Sequence, residues 1–349
     1  MNNHAHVLDG IDEGSLRYLA VFVNSTDLRP FLTGMAQPKL NQARMNIIPC
    51  PIPPLAEQHR IVARVDELMG LLDQLNTART ARDDLRRAAR DATLAALRDA
   101  ADTEAVETAW ARIAGQMDTL FTDPKDVKPL RLGILALAMR GRLHESAPGH
   151  QAEWGSESLG TVATLITKGT TPTSVGFAFE ARGVNFIKVE SIRRGVVDHR
   201  LLDCFISDDT HRALARSILV PGDVLFSIAG TIGKTALVRE EDVPANTNQA
   251  LAIIRAPHDI LDPSFLKIAL DSFVAETVRD KARGGAMMNV SLGDLRALAI
   301  PLPSLDEQRA VVQVALAFLA LCDTLEARLT AARDLQAQFA AAAVHHLDV

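Results

Sequence analysis

Cysteine is scarce in this chain. Cys50, Cys204 and Cys322 are its only three among 349 residues, and none falls in a CxxC or Cys/His spacing. That scatter excludes a disulfide framework and gives no zinc site, so no metal is expected. Long apolar runs are missing as well. Runs such as Leu132–Met139, between Arg131 and Arg140, are far shorter than the roughly 18 residues that span a bilayer, so no membrane segment is expected. The first residues, MNNHAHVLDG, lack the basic-then-apolar layout of a secretory signal. A reducing, cytoplasmic setting is the expectation. Positive charge is not in excess either: 37 Lys and Arg against 43 Asp and Glu give a net charge of −6. Taken alone this argues against a nucleic-acid partner. The stretch 154–303 is nevertheless close to neutral, and almost all of the acidic excess lies outside it. Affinity for a polyanion depends on where the cations lie, so charge permits such a partner without requiring it.

What the chain does contain is a repeated phrase. Residues 48–62 read IPCPIPPLAEQHRIV, and residues 298–312 read LAIPLPSLDEQRAVV. At a constant offset of 250 residues, Pro51, Pro53, Leu55, Glu57, Gln58 and Val62 meet Pro301, Pro303, Leu305, Glu307, Gln308 and Val312. Leu71, Asp73 and Leu75 then meet Leu321, Asp323 and Leu325 without a gap, the mark of a duplicated module. Each copy reads as a short helix (14–23; 263–275), a turn, a short apolar strand and a Pro-x-Pro exit whose rings fix φ near −65°. Ser304 and Glu307 fit a capping box; Pro54 removes it from the first copy, where Glu57 still favours the helix N-terminus. Long helices follow. Ile61, Val65, Leu68, Leu72 and Leu75, and likewise Val311, Ala315, Phe318, Cys322 and Leu325, step by threes and fours as heptad-like seams. No Gly or Pro interrupts the first helical pattern between Leu71 and Ala114. Two helices with the same lead-in are expected to pack on each other.

The stretch 155–257 changes character. Runs such as VATLIT, VNFIKVE, DVLFSIA, TALVRE and ALAIIRA alternate with Gly, Pro and Asp turns, which predicts a β-rich domain closed by a helix at 263–283. No catalytic constellation emerges. Gly230–Thr235 superficially resembles a phosphate-binding loop, but GxxxxGK[ST] needs glycine where Ile228 stands, and a strand rather than a helix follows. The acidic clusters Asp208–Asp209 and Glu240–Asp242 read as solvated loops. The cations are more suggestive. Lys168 precedes Thr170 and Thr171, Lys188 with Arg193 and Arg194 flanks a turn, and Lys234 and Arg239 follow the glycine loop. Lys and Arg on strand-connecting loops suit a duplex reader, with cations for phosphates and bidentate Arg for guanine edges.

In order along the chain, the repeated P-x-P-[PS]-L-x-E-Q phrase, LRLGILALAMRGRL, LGTVATLITKGTTPTS, VPGDVLFSIAGTIGKTALV and NTNQALAIIRA resemble the specificity subunit of type I DNA restriction–modification enzymes. The resemblance covers most of residues 11–330. It implies an α+β fold: a β-rich target-recognition domain plus two long antiparallel coiled-coil-like spacer helices. A helix of about 40 residues would span roughly 60 Å at 1.5 Å per residue and so set the distance between two DNA-reading heads. The implied organisation is a remnant of a first recognition domain (1–53), a first spacer helix (54–114), a linker with a short helix (115–153), a complete recognition domain (154–303) and a second spacer helix (304–349). The implied role is a non-catalytic, cofactor-free subunit that binds double-stranded DNA and directs methyltransferase subunits, and through them a restriction subunit. Lys168, Thr170, Thr171, Lys188, Arg193, Arg194, Lys234 and Arg239 would touch DNA. Glu57, Gln58, Ile61, Leu68, Leu72, Glu307, Gln308, Val311, Phe318 and Leu325 would serve the spacer helices and subunit contacts. Because the first copy of the phrase comes so early, the counterpart of 155–250 is expected to be missing from the first domain. The alternative is therefore a half-subunit or scaffold that acts as a homodimer or with a separate chain.

Overall fold

The computed structural model describes residues 7–8, 12–34, 38–143, 154–282 and 290–345, and the chain falls into two units, Met1–Arg86 and Arg87–Val349. In the first unit, side-chain caps start the short helices. Asp12 Oδ1 accepts from the Ser15 amide at 3.0 Å to open α1 (Glu13–Ser25), and Asn41 accepts from the Arg44 amide at 2.9 Å to open α2 (Gln42–Met45). Tyr18, the buried residue of α1, donates its hydroxyl to the Pro51 carbonyl at 2.8 Å and so ties α1 to the segment leading into α3 (Leu55–Arg98). With proline in place of the capping serine, the Pro54 carbonyl accepts from the amides of Glu57 (2.8 Å) and Gln58 (3.1 Å). Val62 is buried, but farther along α3 the seam lies open: Leu68, Leu72 and Leu75 are 45, 51 and 65% exposed.

The expectation of one helix reaching residue 114 is corrected. α3 ends at Arg98, and Asp102 takes extended backbone (φ −149°) and accepts from the Ala105 amide at 2.8 Å, starting α4 (Thr103–Gly115). The absence of Gly and Pro hid this break, because an aspartate cap ends one helix and starts another without either. α5 (Met117–Leu120) and α6 (Val127–Met139) follow. Leu94 and Leu97 at the end of α3 pack with Ile113, Phe121, Leu130, Ile134 and Leu137 into a helical core that also takes in Cys322. A buried ion pair joins Arg90 to Asp126, whose other oxygen accepts from the amides of Thr122 (3.0 Å) and Asp123 (2.9 Å).

The β-rich part begins with β1 (Ser156–Ser158), α7 (Leu159–Val162) and β2 (Leu165–Lys168), then β3 (Val184–Ile187) and a small hairpin, β4 (Ile192–Arg193) with β5 (Val196–Val197). β6 (Phe205–Ile206), α8 (Asp208–Ala213), β7 (Val224–Ser227), β8 (Thr235–Leu237), β9 (Ala245–Thr247) and β10 (Leu251–Arg255) complete it. An antiparallel sheet in the order β2-β10-β7-β8 lies beside a three-stranded sheet, β6-β3-β9, in which β3 and β9 are parallel. The four-stranded sheet is buried on both faces, which explains runs apolar at every position rather than alternating. Leu225, Leu251 and Ile253 pack toward Ile187, Val189 and Ile192, whereas Val224, Phe226, Ala252 and Ile254 pack toward helices. Those helices include α9 (Pro263–Ala282) and α10 (Leu292–Ala297), before β11 (Ala299–Pro301) and the last helix, α11 (Leu305–His345). β11 pairs antiparallel with β1, Ile300 facing Glu157, so the two ends of the β-rich domain close on each other.

The architecture is thus α+β, with a β-rich domain and two long helices. At the start of α11 the predicted capping box forms: Glu307 accepts from the Ser304 amide at 2.9 Å, and Ser304 Oγ accepts from the Glu307 amide at 3.4 Å. Gln308 is fully buried, donating to the carbonyls of Pro303 (2.9 Å) and Ile260 (3.0 Å) and accepting from the Asp262 amide (2.8 Å). Val311, Ala315 and Cys322 enter the core, Phe318 meets Trp110 edge-on at 4.8 Å, and Leu325 is partly buried. One window of α11 has a mean hydropathy of 1.7, enough by length and composition alone to cross a membrane, and the same helix places Val311, Ala315 and Cys322 in the core.

Candidate nucleic-acid interface

Strand register gathers several loops at one end of the four-stranded sheet. β2 ends at Lys168 opposite Ala252, near the start of β10; β7 ends at Ser227 opposite Leu251; β8 starts at Thr235 opposite Phe226. In the neighbouring sheet β3 and β9 run in parallel and end together at Ile187 and Thr247, joined by the Thr247 hydroxyl donating to the Ile187 carbonyl at 2.8 Å. The segments after β2, β3, β7 and β9 therefore share this end. Gly169 allows their contact: a Cβ there would fall 2.0 Å from the Thr247 carbonyl oxygen, and the next amide, Thr170, donates to that oxygen at 3.1 Å. The Thr171 hydroxyl donates to the side-chain oxygen of Gln249. Ser227 closes the glycine loop, accepting from the Lys234 amide at 2.7 Å and donating to the Thr231 carbonyl at 2.6 Å.

The sequence-predicted cations separate into two groups. Lys168, Arg193 and Arg194 are exposed and enter none of the ion pairs among the described residues. Arg193 closes β4, and Arg194 (φ 50°) with Gly195 (φ 78°) forms the two-residue turn to β5. Positive φ at both central positions is what a tight hairpin turn of this length requires, and at Arg194 it costs more than it would at glycine. Lys234 and Arg239 are spent internally. The Lys234 ammonium donates to the carbonyls of Val189 (3.1 Å) and Ile192 (3.4 Å), and a strand follows it, so the segment has no phosphate-loop geometry. Arg239 pairs with Glu241 at 2.6 Å and with the buried Asp242 at 3.2 Å, and donates to the Val197 carbonyl at 3.1 Å. Hydrogen bonding to Asp242 holds its guanidinium above the usual range. Lys188 is intermediate: it lies 3.5 Å from Asp203 and 5.7 Å from the centre of the Phe179 ring. Its ammonium is shifted up chiefly by hydrogen bonding with Cys204.

Beside Thr170 and Thr171, this end of the sheet carries two side-chain amides that are not among the sequence-predicted contacts. Gln249 is exposed and Asn248 half-buried, the latter accepting from the Ala250 amide at 3.1 Å. Their signal is present in the sequence as NTNQA, since an amide can both donate to and accept from an adenine edge. Among the described residues, no group of three or more His, Cys, Asp or Glu could hold a metal ion. The arrangement offers exposed cations, hydroxyls and amides on strand ends and adjoining turns, and no nucleophile–base pair stands among the residues that form it.

The chain belongs to a known family: residues 1–82 and 151–332 match the type I restriction modification DNA specificity domain. The two matched stretches follow the internal repeat. It is 26% identical over 335 residues to the EcoAI type I restriction enzyme specificity subunit of Escherichia coli, covering 84% of this chain and 56% of that protein. It is 28% identical over 242 residues to the EcoBI specificity subunit of Escherichia coli, covering 64% of this chain and 50% of that protein. The chain thus spans about half the length of these relatives. A chain from a structure describing complex assembly and conformational transition of the type I R-M system shares the fold, with 20% identity and a TM-score of 0.51 over 92% of this chain and 65% of that one.

Proposed function

We propose that this chain is a non-catalytic specificity subunit that reads a DNA sequence with its β-rich domain and carries methyltransferase subunits, and through them a restriction subunit, to that site in the cytoplasm. The observation that carries the reading is the convergence of Lys168, Thr170, Thr171 and Gln249 at one rigid sheet end in a chain of the DNA specificity family. Lys168, Arg193 and Arg194 contact phosphates or guanine edges, Thr171 and Gln249 contact bases, and Lys234 and Arg239 brace the loops. The open seam of α3, with Leu68, Leu72 and Leu75, is the surface on which a partner helix docks. The decisive experiment is co-expression with a type I methyltransferase subunit from the same organism, followed by selection from a randomised duplex pool. Co-purification and enrichment of one motif are expected; a complex that never forms, or a pool that never converges, contradicts the reading. A second reading, a half-subunit acting as a homodimer or with a separate chain, is favoured by the same open seam. It predicts a mass in sedimentation corresponding to two specificity chains per complex or to one plus a further recognition chain.

A further inference from the structure

Between Thr171 and Arg182 the chain makes an excursion, PTSVGFAFEA, that is almost free of charge. A 3₁₀ turn over Pro172–Val175 ends at Gly176, whose φ of 87° lies in the left-handed region that suits glycine. Along it Val175, Phe177 and Phe179 remain 49, 36 and 37% exposed. The excursion is held rather than loose. The Phe177 amide donates to the Pro172 carbonyl at 3.0 Å, the Glu180 amide donates to the Phe205 carbonyl at 2.8 Å, and Phe179 meets Phe186 edge-on at 5.2 Å. Cations flank it along the chain: exposed Lys168 precedes it, exposed Arg182 follows it, and the Lys188 ammonium, 3.5 Å from Asp203, lies beside Phe179, while Glu180 is the one carboxylate within it. Its foot is the pair formed by Thr171 and Gln249. Exposed apolar side chains flanked by positive charge complement a polyanion with apolar groups between its phosphates. In duplex DNA the apolar group on a base edge is the C5 methyl of thymine in the major groove.

We propose that Phe177 contacts a thymine methyl in the recognised DNA and so reads one base without a hydrogen bond, while Phe179, braced on Phe186, supports it. The inference rests on the β-rich domain being a DNA reader and adds to that reading a residue and the base it selects. The test uses the full chain with its methyltransferase and the duplex fixed by selection from a randomised pool. Each thymine of that duplex is replaced in turn by deoxyuridine, which removes only the methyl, and affinity is measured for wild type, Phe177→Ala and Phe177→Leu. At one position the wild type should lose about fourfold, the weight of one buried methyl. Phe177→Ala should bind the thymine duplex more weakly and show no further loss with deoxyuridine there, whereas Phe177→Leu should keep most of the difference. A wild type indifferent to every replacement, or a Phe177→Ala protein that keeps the full sensitivity, overturns the contact. A wild type that enriches no motif overturns the DNA-reading function itself, and the contact with it.

Discussion

Gly169 shows how little room there is between β2 and β9. With a Cβ 2.0 Å from the Thr247 carbonyl oxygen, any side chain at 169 would push β2 away from β9 and separate Thr171 from Gln249. Around it each polar residue has its own expected phenotype. Lys168→Ala should weaken binding by a similar factor on all sequences and lower the slope of log affinity against log salt by about 1, the signature of one phosphate contact. Gln249→Ala should instead relax preference at one base pair, costing about 1–3 kcal/mol on the selected duplex and little elsewhere. Binding titrations at several salt concentrations on selected and scrambled duplexes check both. A third residue-scale outcome concerns Cys322, whose thiol is pushed up to about 11, chiefly by burial. It should resist maleimide in the native protein while Cys50 and Cys204, both partly exposed, react. Since the folded thiol holds its proton more tightly than an unfolded one, this group's contribution to stability is complete below its ordinary value of 9.0 and falls as pH rises toward 11. Cys322→Ala should flatten that decline in thermal melts.

At the scale of elements, the repeated phrase is a fastening device. Gln308 uses its amide to bind the loop before α9 to the start of α11, and Ser304 with Glu307 caps the same turn. Gln308→Ala should strand the Pro303 carbonyl, the buried partner of that amide, and free the part-buried Asp262 amide and Ile260 carbonyl, lowering stability by about 1–3 kcal/mol in chemical denaturation, before any partner is considered. Asp126→Asn removes the buried one of the two carboxylates that meet Arg90, Asp91 at 2.8 Å being the other, and should lower stability by about 1–3 kcal/mol by the same measurement. Much of this level was legible beforehand. The duplication, the helix starts, the five apolar strand runs and the failure of the glycine loop as a phosphate site all follow from local spacing. Three features were not. The break at Asp102 leaves no glycine or proline behind. The strand at 245–247, with its polar ANT, is recognisable only once β3 lies beside it. The fates of Lys234 and Arg239 depend on Val189, Ile192 and Val197, more than 40 residues away along the chain. Composition ranks all cations alike; the fold decides which become struts.

For the whole molecule, the second unit carries a β-rich domain closed by the pairing of β1 with β11, whereas the described part of the first unit consists of helices and connecting segments with one isolated bridge between Thr33 and Lys39. The internal offset of 250 residues makes the two long helices counterparts, yet Cys322 is 2% exposed where Leu72 is 51% exposed. The central claim is that sequence reading resides at the shared end of β2, β7, β9 and β10. Its most direct test is the ratio of affinities for the selected and scrambled duplexes, measured at one salt concentration for the assembled complex and for its Lys168→Ala and Gln249→Ala forms. A ratio of about 10³ or more is expected for the wild type, preserved in Lys168→Ala and reduced about tenfold or more in Gln249→Ala. Equal affinity for the two duplexes, or ratios and affinities untouched by both substitutions, would contradict the account.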